Sequence, residues 1–180
     1  MSDRAGQACA LTVLAPIERG RQDLLRTLLQ GLPTGAESPL ARAPGTHFAR
    51  WVVVPQLVYQ GPPQKRDELD LAYLMFTSNF DGPLEPYLDA LCGPMGEAAD
   101  AIWGCCIGWP GLGDPASAKA YLLRNRLATS LFVAGYPQAR LPEVLRALEL
   151  RERVTRFAIG AQGQGAESLA LAWRQEFGGP

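Results

Sequence analysis

The chain predicts an α+β fold in which an antiparallel sheet is packed by helices. Three observations carry that prediction. Four short apolar runs, at residues 8–15, 47–54, 69–77 and 129–137, have the length and the β-branched or aromatic content of strands. Between and after them, leucines return every three or four residues, the period of a helix with one apolar side. Proline and glycine punctuate most of the junctions.

The first run, "ACALTVLA" (8–15), is a strand ended by Pro16. In "RGRQDLLRTLLQGLP", Leu24, Leu25, Leu28, Leu29 and Leu32 fall at helical spacing, while Arg21, Asp23, Arg26 and Gln30 face away. Gly31 and Pro33 stop that helix. Residues 33–46, rich in Pro, Gly, Ser and Ala, read as loop. "HFARWVVV" (47–54) is the second strand, ended by Pro55, and a polar connection leads to the third, "LDLAYLMFT" (69–77). "SNFDGP" then turns the chain, and Pro83 suits the first turn of a helix. Leu84, Tyr87, Leu88, Leu91 and Cys92 make a full amphipathic stripe. Gly93 and Pro94 interrupt it, and "EAADAIWGCC" resumes a helical turn or two. Asp114 caps the piece "PASAKAYLLRNR", with Pro115 at its first position. "TSLFVAGYP" (129–137) is the fourth strand. "LPEVLRALELRERVTRFAI" (141–159) is a long helix with Leu141, Val144, Leu145, Leu148 and Val154 along one side.

Strand, helix, strand, strand, helix, strand, helix is the βαββαβ pattern of a ferredoxin-like fold with added helices. Residues 1–159 are expected to form that domain. Residues 160–180 are expected to form a Gly-rich linker, "GAQGQG", followed by a C-terminal amphipathic helix that docks on its own domain or on another chain. The strands do not alternate apolar with polar residues as a one-sided sheet should. "LAYLMF" and "WVVV" are apolar throughout, so the face away from the helices is expected to meet a partner or a ligand.

Bulk composition narrows the partners. Seventeen basic and eighteen acidic side chains give a net charge of −1, without the basic excess of a duplex-binding protein. No stretch has the roughly 20 apolar residues of a membrane helix, and the first residues do not read as a secretory signal. The expectation is a cytoplasmic protein that binds neither nucleic acid nor membrane. Cys9, Cys92, Cys105 and Cys106 include no CxxC pair and read as reduced, buried thiols. A single histidine cannot complete the usual Cys/His zinc patterns, so no metal site is expected. No GxSxG elbow occurs, and "GWPGLG" lacks the lysine of a phosphate loop.

The opening "LTVLAPIERGRQDLLRTLLQGL" and the order of elements through residue 137 resemble the dimeric α+β barrel superfamily, in which two ferredoxin-like units pack their sheets together. The resemblance implies a homodimer formed through the sheet face. The superfamily includes cofactor-independent monooxygenases, haem-degrading enzymes, chlorite-dismutase-like haem proteins and dye-decolourising peroxidases, so it implies oxidoreductase chemistry with haem as a possible cofactor. "SNFDG" is similar to the GxxDG motif of the peroxidases, whose Asp assists peroxide cleavage. Asp81 and Gly82 fit that motif, whereas Ser78 stands where it has glycine. The peroxidases take their haem ligand from a later part of the chain, whereas His47, the only histidine here, precedes the motif.

Antiparallel pairing of the middle strands would bring the start of one, His47, beside the end of the other. His47, Asn79 and Asp81 are therefore the catalytic candidates, the histidine as base or haem ligand and the other two orienting its ring. Ser78, Trp51 and Tyr136 are the ligand-binding candidates: Ser78 and Tyr136 at the same rim, Trp51 on the strand face shared with His47. Each has a plain structural account as well. His47 could pin the hairpin, Asp81 could cap the helix at Pro83, and Asn79 could serve the turn. Two functions stay open: a small-molecule binding barrel for an apolar, aromatic or haem ligand, with oxidoreductase activity in prospect, or a non-catalytic dimeric interaction module whose C-terminal helix recruits a partner.

Overall fold

The computed structural model describes residues 3–93 and 95–178. It divides into two compact units, Met1–Leu141 and Pro142–Pro180. The first holds the sheet. Its strands are β1 (Arg4–Ala5), β2 (Ala8–Pro16), β3 (Thr46–Val54) and β4 (Tyr73–Asp81), in the spatial order β1-β2-β4-β3 with every pair antiparallel. The helices of this unit are α1 (Gln22–Gln30), α2 (Leu84–Cys92), α3 (Gly96–Trp103) and α4 (Pro115–Arg124). Two short 3-10 turns occupy the loop before β3. Pro94, expected to interrupt the helical run after α2, lies outside the described residues.

Period-two alternation divides the sheet residues between two faces. Leu11, Val13 and Ala15 of β2 and Leu74, Phe76, Ser78 and Phe80 of β4 are buried on the inner face. Ala49, Trp51 and Val53 of β3 join them. Against this face pack Leu25 of α1, Tyr87, Leu88 and Leu91 of α2, Ile102 and Trp103 of α3, and Tyr121 and Leu122 of α4. Leu25, Leu88, Leu91 and Leu122 are on the sides of α1, α2 and α4 that meet the sheet, whereas Leu24 is 45 % exposed. Phe76 lies between Trp51, 5.1 Å away, and Trp103, 6.0 Å away and edge-on. Phe80 stacks on Tyr87 at 3.8 Å.

The register lays out the outer face in cross-strand rows: Ala10, Asn79 and Phe48; then Thr12, Thr77 and Arg50; then Leu14, Met75 and Val52. No helix of the first unit contributes a buried residue to this face; Phe48 is 75 % exposed.

Three expectations need correction. The third strand begins at Tyr73 rather than at residue 69, and runs through "SNFD" to Asp81. Both neighbours offer hydrogen-bonding partners up to that point, so the turn is deferred to Gly82, whose φ of 86° suits glycine. Residues 129–137, expected as the fourth strand, contain no strand. The free edge of β2 is already occupied: the Asp3 carbonyl accepts from Ala10 N, β1 pairs with Ala8 and Cys9, and Leu14 N and Thr12 O bond to Asn125 and Leu127. A run with high strand propensity stays unpaired when no edge is left to receive it. Its end is tied instead at Gly6, where a Cβ would stand 2.0 Å from the Pro137 oxygen, and by Gln7 N donating to that same oxygen at 2.6 Å.

The third correction concerns the C-terminal region. The compact units divide after Leu141. "GAQGQG" is the turn of a helical hairpin between α5 (Leu141–Gly160) and α6 (Ala166–Phe177) rather than a linker between bodies. Phe157 meets Trp173 and Phe177 edge-on, each at 5.4 Å. Arg153 donates to the Glu176 carboxylate at 3.3 Å and to its backbone oxygen at 2.7 Å. The stripe Leu169, Trp173 and Phe177 thus turns toward α5 of its own chain. No residue of either helix is fully buried.

Candidate functional site

His47 sits where the β3–β4 register slips: Thr46 pairs with Phe80 and Phe48 with Asn79, leaving His47 as the extra residue of a bulge. The bulge aims the imidazole at Asp81, with Nε2 2.8 Å from Oδ1. The other carboxylate oxygen of Asp81 accepts from the Leu141 backbone N–H at 2.7 Å. Both oxygens are committed, one to the histidine and one to the Leu141 backbone. The two side chains are only 15 % and 14 % exposed. Asp81 does not cap the helix beginning at Leu84, whose N-cap position is Pro83 and carries no side-chain cap.

The remaining candidates separate. Asn79 lies on the open outer face, while Ser78 and Trp51 point to the opposite, helix-packed side. Ser78 is 2 % exposed and faces Tyr87. Burial pushes the Tyr87 phenol above its ordinary value, and the Ser78 and Thr46 hydroxyls pull it partly back. Tyr136 is 82 % exposed in the unpaired stretch. His47 and Asp81 come together; Trp51, Ser78 and Tyr136 do not join them.

A cleft of about 550 Å³ opens on the outer face, in the size range of small-molecule sites. It lies over the first two rows and includes Thr12, Phe48, Arg50, Thr77 and Asn79. Thr129 and Phe132, from the unpaired stretch, complete its lining. Arg50 Nε donates to Thr77 Oγ1 at 3.1 Å, which fixes the plane of the guanidinium. Among the described residues, no carboxylate pairs with it. Arg50 and Phe132 were not candidates from sequence. The available signal was the arginine itself, the one charged residue within "HFARWVVV".

One ring nitrogen of His47 is committed within the protein. Its Nε2 is engaged by Asp81, and the ring borders none of the described clefts. Among the described residues, no group of three or more His, Cys, Asp or Glu side chains could hold a metal ion. None of their helices is long and apolar enough to cross a membrane.

The four cysteines are free and buried. Burial pushes each thiol up, Cys106 to about 12, with Cys105 and Glu18 adding to the effect. A raised thiol pKa means that the folded state holds its proton more tightly. That contribution to stability is complete below the ordinary value of 9.0 and is lost as pH rises toward about 12. At pH 8 the native protein is expected to leave all four thiols unmodified by a disulfide reagent, and to release four equivalents only on denaturation. Rapid modification of any one in the folded state would contradict this burial.

The chain matches no protein-family model, no curated protein and no solved structure.

Proposed function

We propose that the protein is a small-molecule binding protein whose site is the cleft on the open face of the sheet, and that His47 and Asp81 brace that site rather than react. The observation that carries this reading is the contrast between the two places. The cleft is concave, open and lined by aromatic and polar side chains, whereas the histidine ring is mostly buried, bonded to Asp81 and outside the cleft. The order β2-β4-β3, with a helix between β2 and β3, supports a ferredoxin-like frame in which β1 and residues 125–127 take the edge of the usual fourth strand. A second copy laid on the open face would make the dimeric α+β barrel and enclose the cleft.

Ligand-observed NMR with neutral aromatic probes, naphthol and indole, tests the reading. Wild type is expected to bind them, and Asn79→Trp, which fills the cleft, is expected to abolish binding while leaving the melting temperature nearly unchanged. Undiminished binding by Asn79→Trp would place the ligand elsewhere and overturn the proposal.

A second reading, a non-catalytic dimeric interaction module, is favoured by one observation. The α5–α6 hairpin has no fully buried residue, while Leu145, Ile159 and Leu171 are 55 %, 65 % and 60 % exposed. Under it, wild type binds neither probe, and removal of residues 160–180 eliminates association with a partner.

A further inference from the structure

We infer that the cleft takes a carboxylate carried on a flat aromatic body, with Arg50 as the residue that holds the carboxylate. This inference rests on the proposal that the open sheet face binds small molecules, and it names the class of molecule.

The argument begins with charge. Arg50 is the single charged side chain among the described residues lining the cleft. Asp81, two residues beyond Asn79 on β4, and Asp3, bonded to the lining residue Thr129, are both committed elsewhere. Asp81 bonds His47 and Leu141 N; Asp3 accepts from Thr129 N with one oxygen and from Arg126 with the other. The guanidinium is therefore a cation without a carboxylate partner, set in a polar row and flanked on one side by its neighbour Phe48.

Orientation comes next. Thr77 stands directly opposite Arg50 in the β3–β4 register and accepts from Nε. That bond uses one edge of the guanidinium and leaves the two terminal nitrogens, whose parallel N–H groups match the two oxygens of a carboxylate. Thr12, in the same row, and Asn79, in the next, supply hydrogen-bonding groups but no competing negative charge. Phe48 and Phe132 then bound the space for an apolar body, and their rings favour an aromatic one through offset or edge-on contact.

Calorimetric titration with naphthoate, set against the neutral and nearly isosteric naphthamide, separates charge from shape. Wild type is expected to bind naphthoate more tightly than naphthamide. Arg50→Gln is expected to weaken naphthoate about tenfold or more and leave naphthamide unchanged. Arg50→Lys, which keeps the charge without the fork, is expected to recover part of the loss. Arg50 is exposed, so these variants should fold, and matching melting temperatures verify it. Equal affinity of wild type and Arg50→Gln for naphthoate would overturn the carboxylate assignment and leave the binding face standing. Failure of wild type to bind either probe would overturn both.

Discussion

Asp81→Ala is expected to destabilise the first unit by about 2–4 kcal/mol, because the substitution leaves the His47 ring and the Leu141 N–H without an acceptor in a mostly buried setting. In a chain of this length that corresponds to a loss of roughly 5–12 °C in melting temperature. Asp81→Asn is expected to fall between wild type and alanine, since an amide has one acceptor oxygen where the carboxylate uses two. His47→Ala removes only one of the two bonds and should cost less than Asp81→Ala. Thermal melts of the three variants give the order, and the double variant His47→Ala/Asp81→Ala gives the coupling between the pair. Naphthol binding measured in parallel separates brace from catalyst. A His47→Ala protein that keeps its full melting temperature and loses the ligand would return the histidine to the centre of the site.

Phe76→Ala is expected to cost about 3–5 kcal/mol, the largest single effect anticipated, because it opens a cavity where the environment cannot collapse. Phe76 is 1 % exposed and lies between Trp51 and Trp103, so its removal also breaks two aromatic contacts, each worth about 0.5–1.5 kcal/mol. Trp51, Phe76 and Trp103 come from β3, β4 and α3, so the cavity would loosen two strands and a helix together. Thr77→Ala, the next residue along β4 but on the open face, provides the control and should change stability by no more than about 0.5–1 kcal/mol. Chemical denaturation of both variants measures the contrast. Comparable costs at 76 and 77 would mean that the open face is as tightly packed as the inner one and holds no accessible cleft.

Much of the frame was decided locally. The stripe of Leu24, Leu25, Leu28 and Leu29 could bury its apolar side only as a helix, and Leu84, Tyr87, Leu88 and Leu91 repeat the case for α2. Each of these signals lies within one or two turns of chain, and so does the strand character of "ALTVLA" and "HFARWVVV". Antiparallel pairing of two such strands already placed His47 near Asp81, because a hairpin-like pair must bring the start of one beside the end of the other. Tertiary structure decided what depends on which partner arrives first at an edge or a face. "TSLFVAGYP" has the composition of a strand, yet Asp3–Ala5 and Asn125–Leu127 hold the edge of β2 that it would need. "SNFD" has the composition of a turn, yet β2 and β3 flank it on both sides and keep it extended. "GAQGQG" reads as a linker until Phe157, Trp173 and Phe177 bring the two helices around it together. Arg50 looks like an ordinary solvated charge on a strand, and only the cross-strand register that sets it against Thr77, with Phe132 brought in from more than eighty residues away, makes it the charged centre of a cleft. Periodicity and turn chemistry are properties of neighbours in sequence; edge occupancy and side-chain convergence belong to residues far apart in the chain, and only the folded protein specifies them.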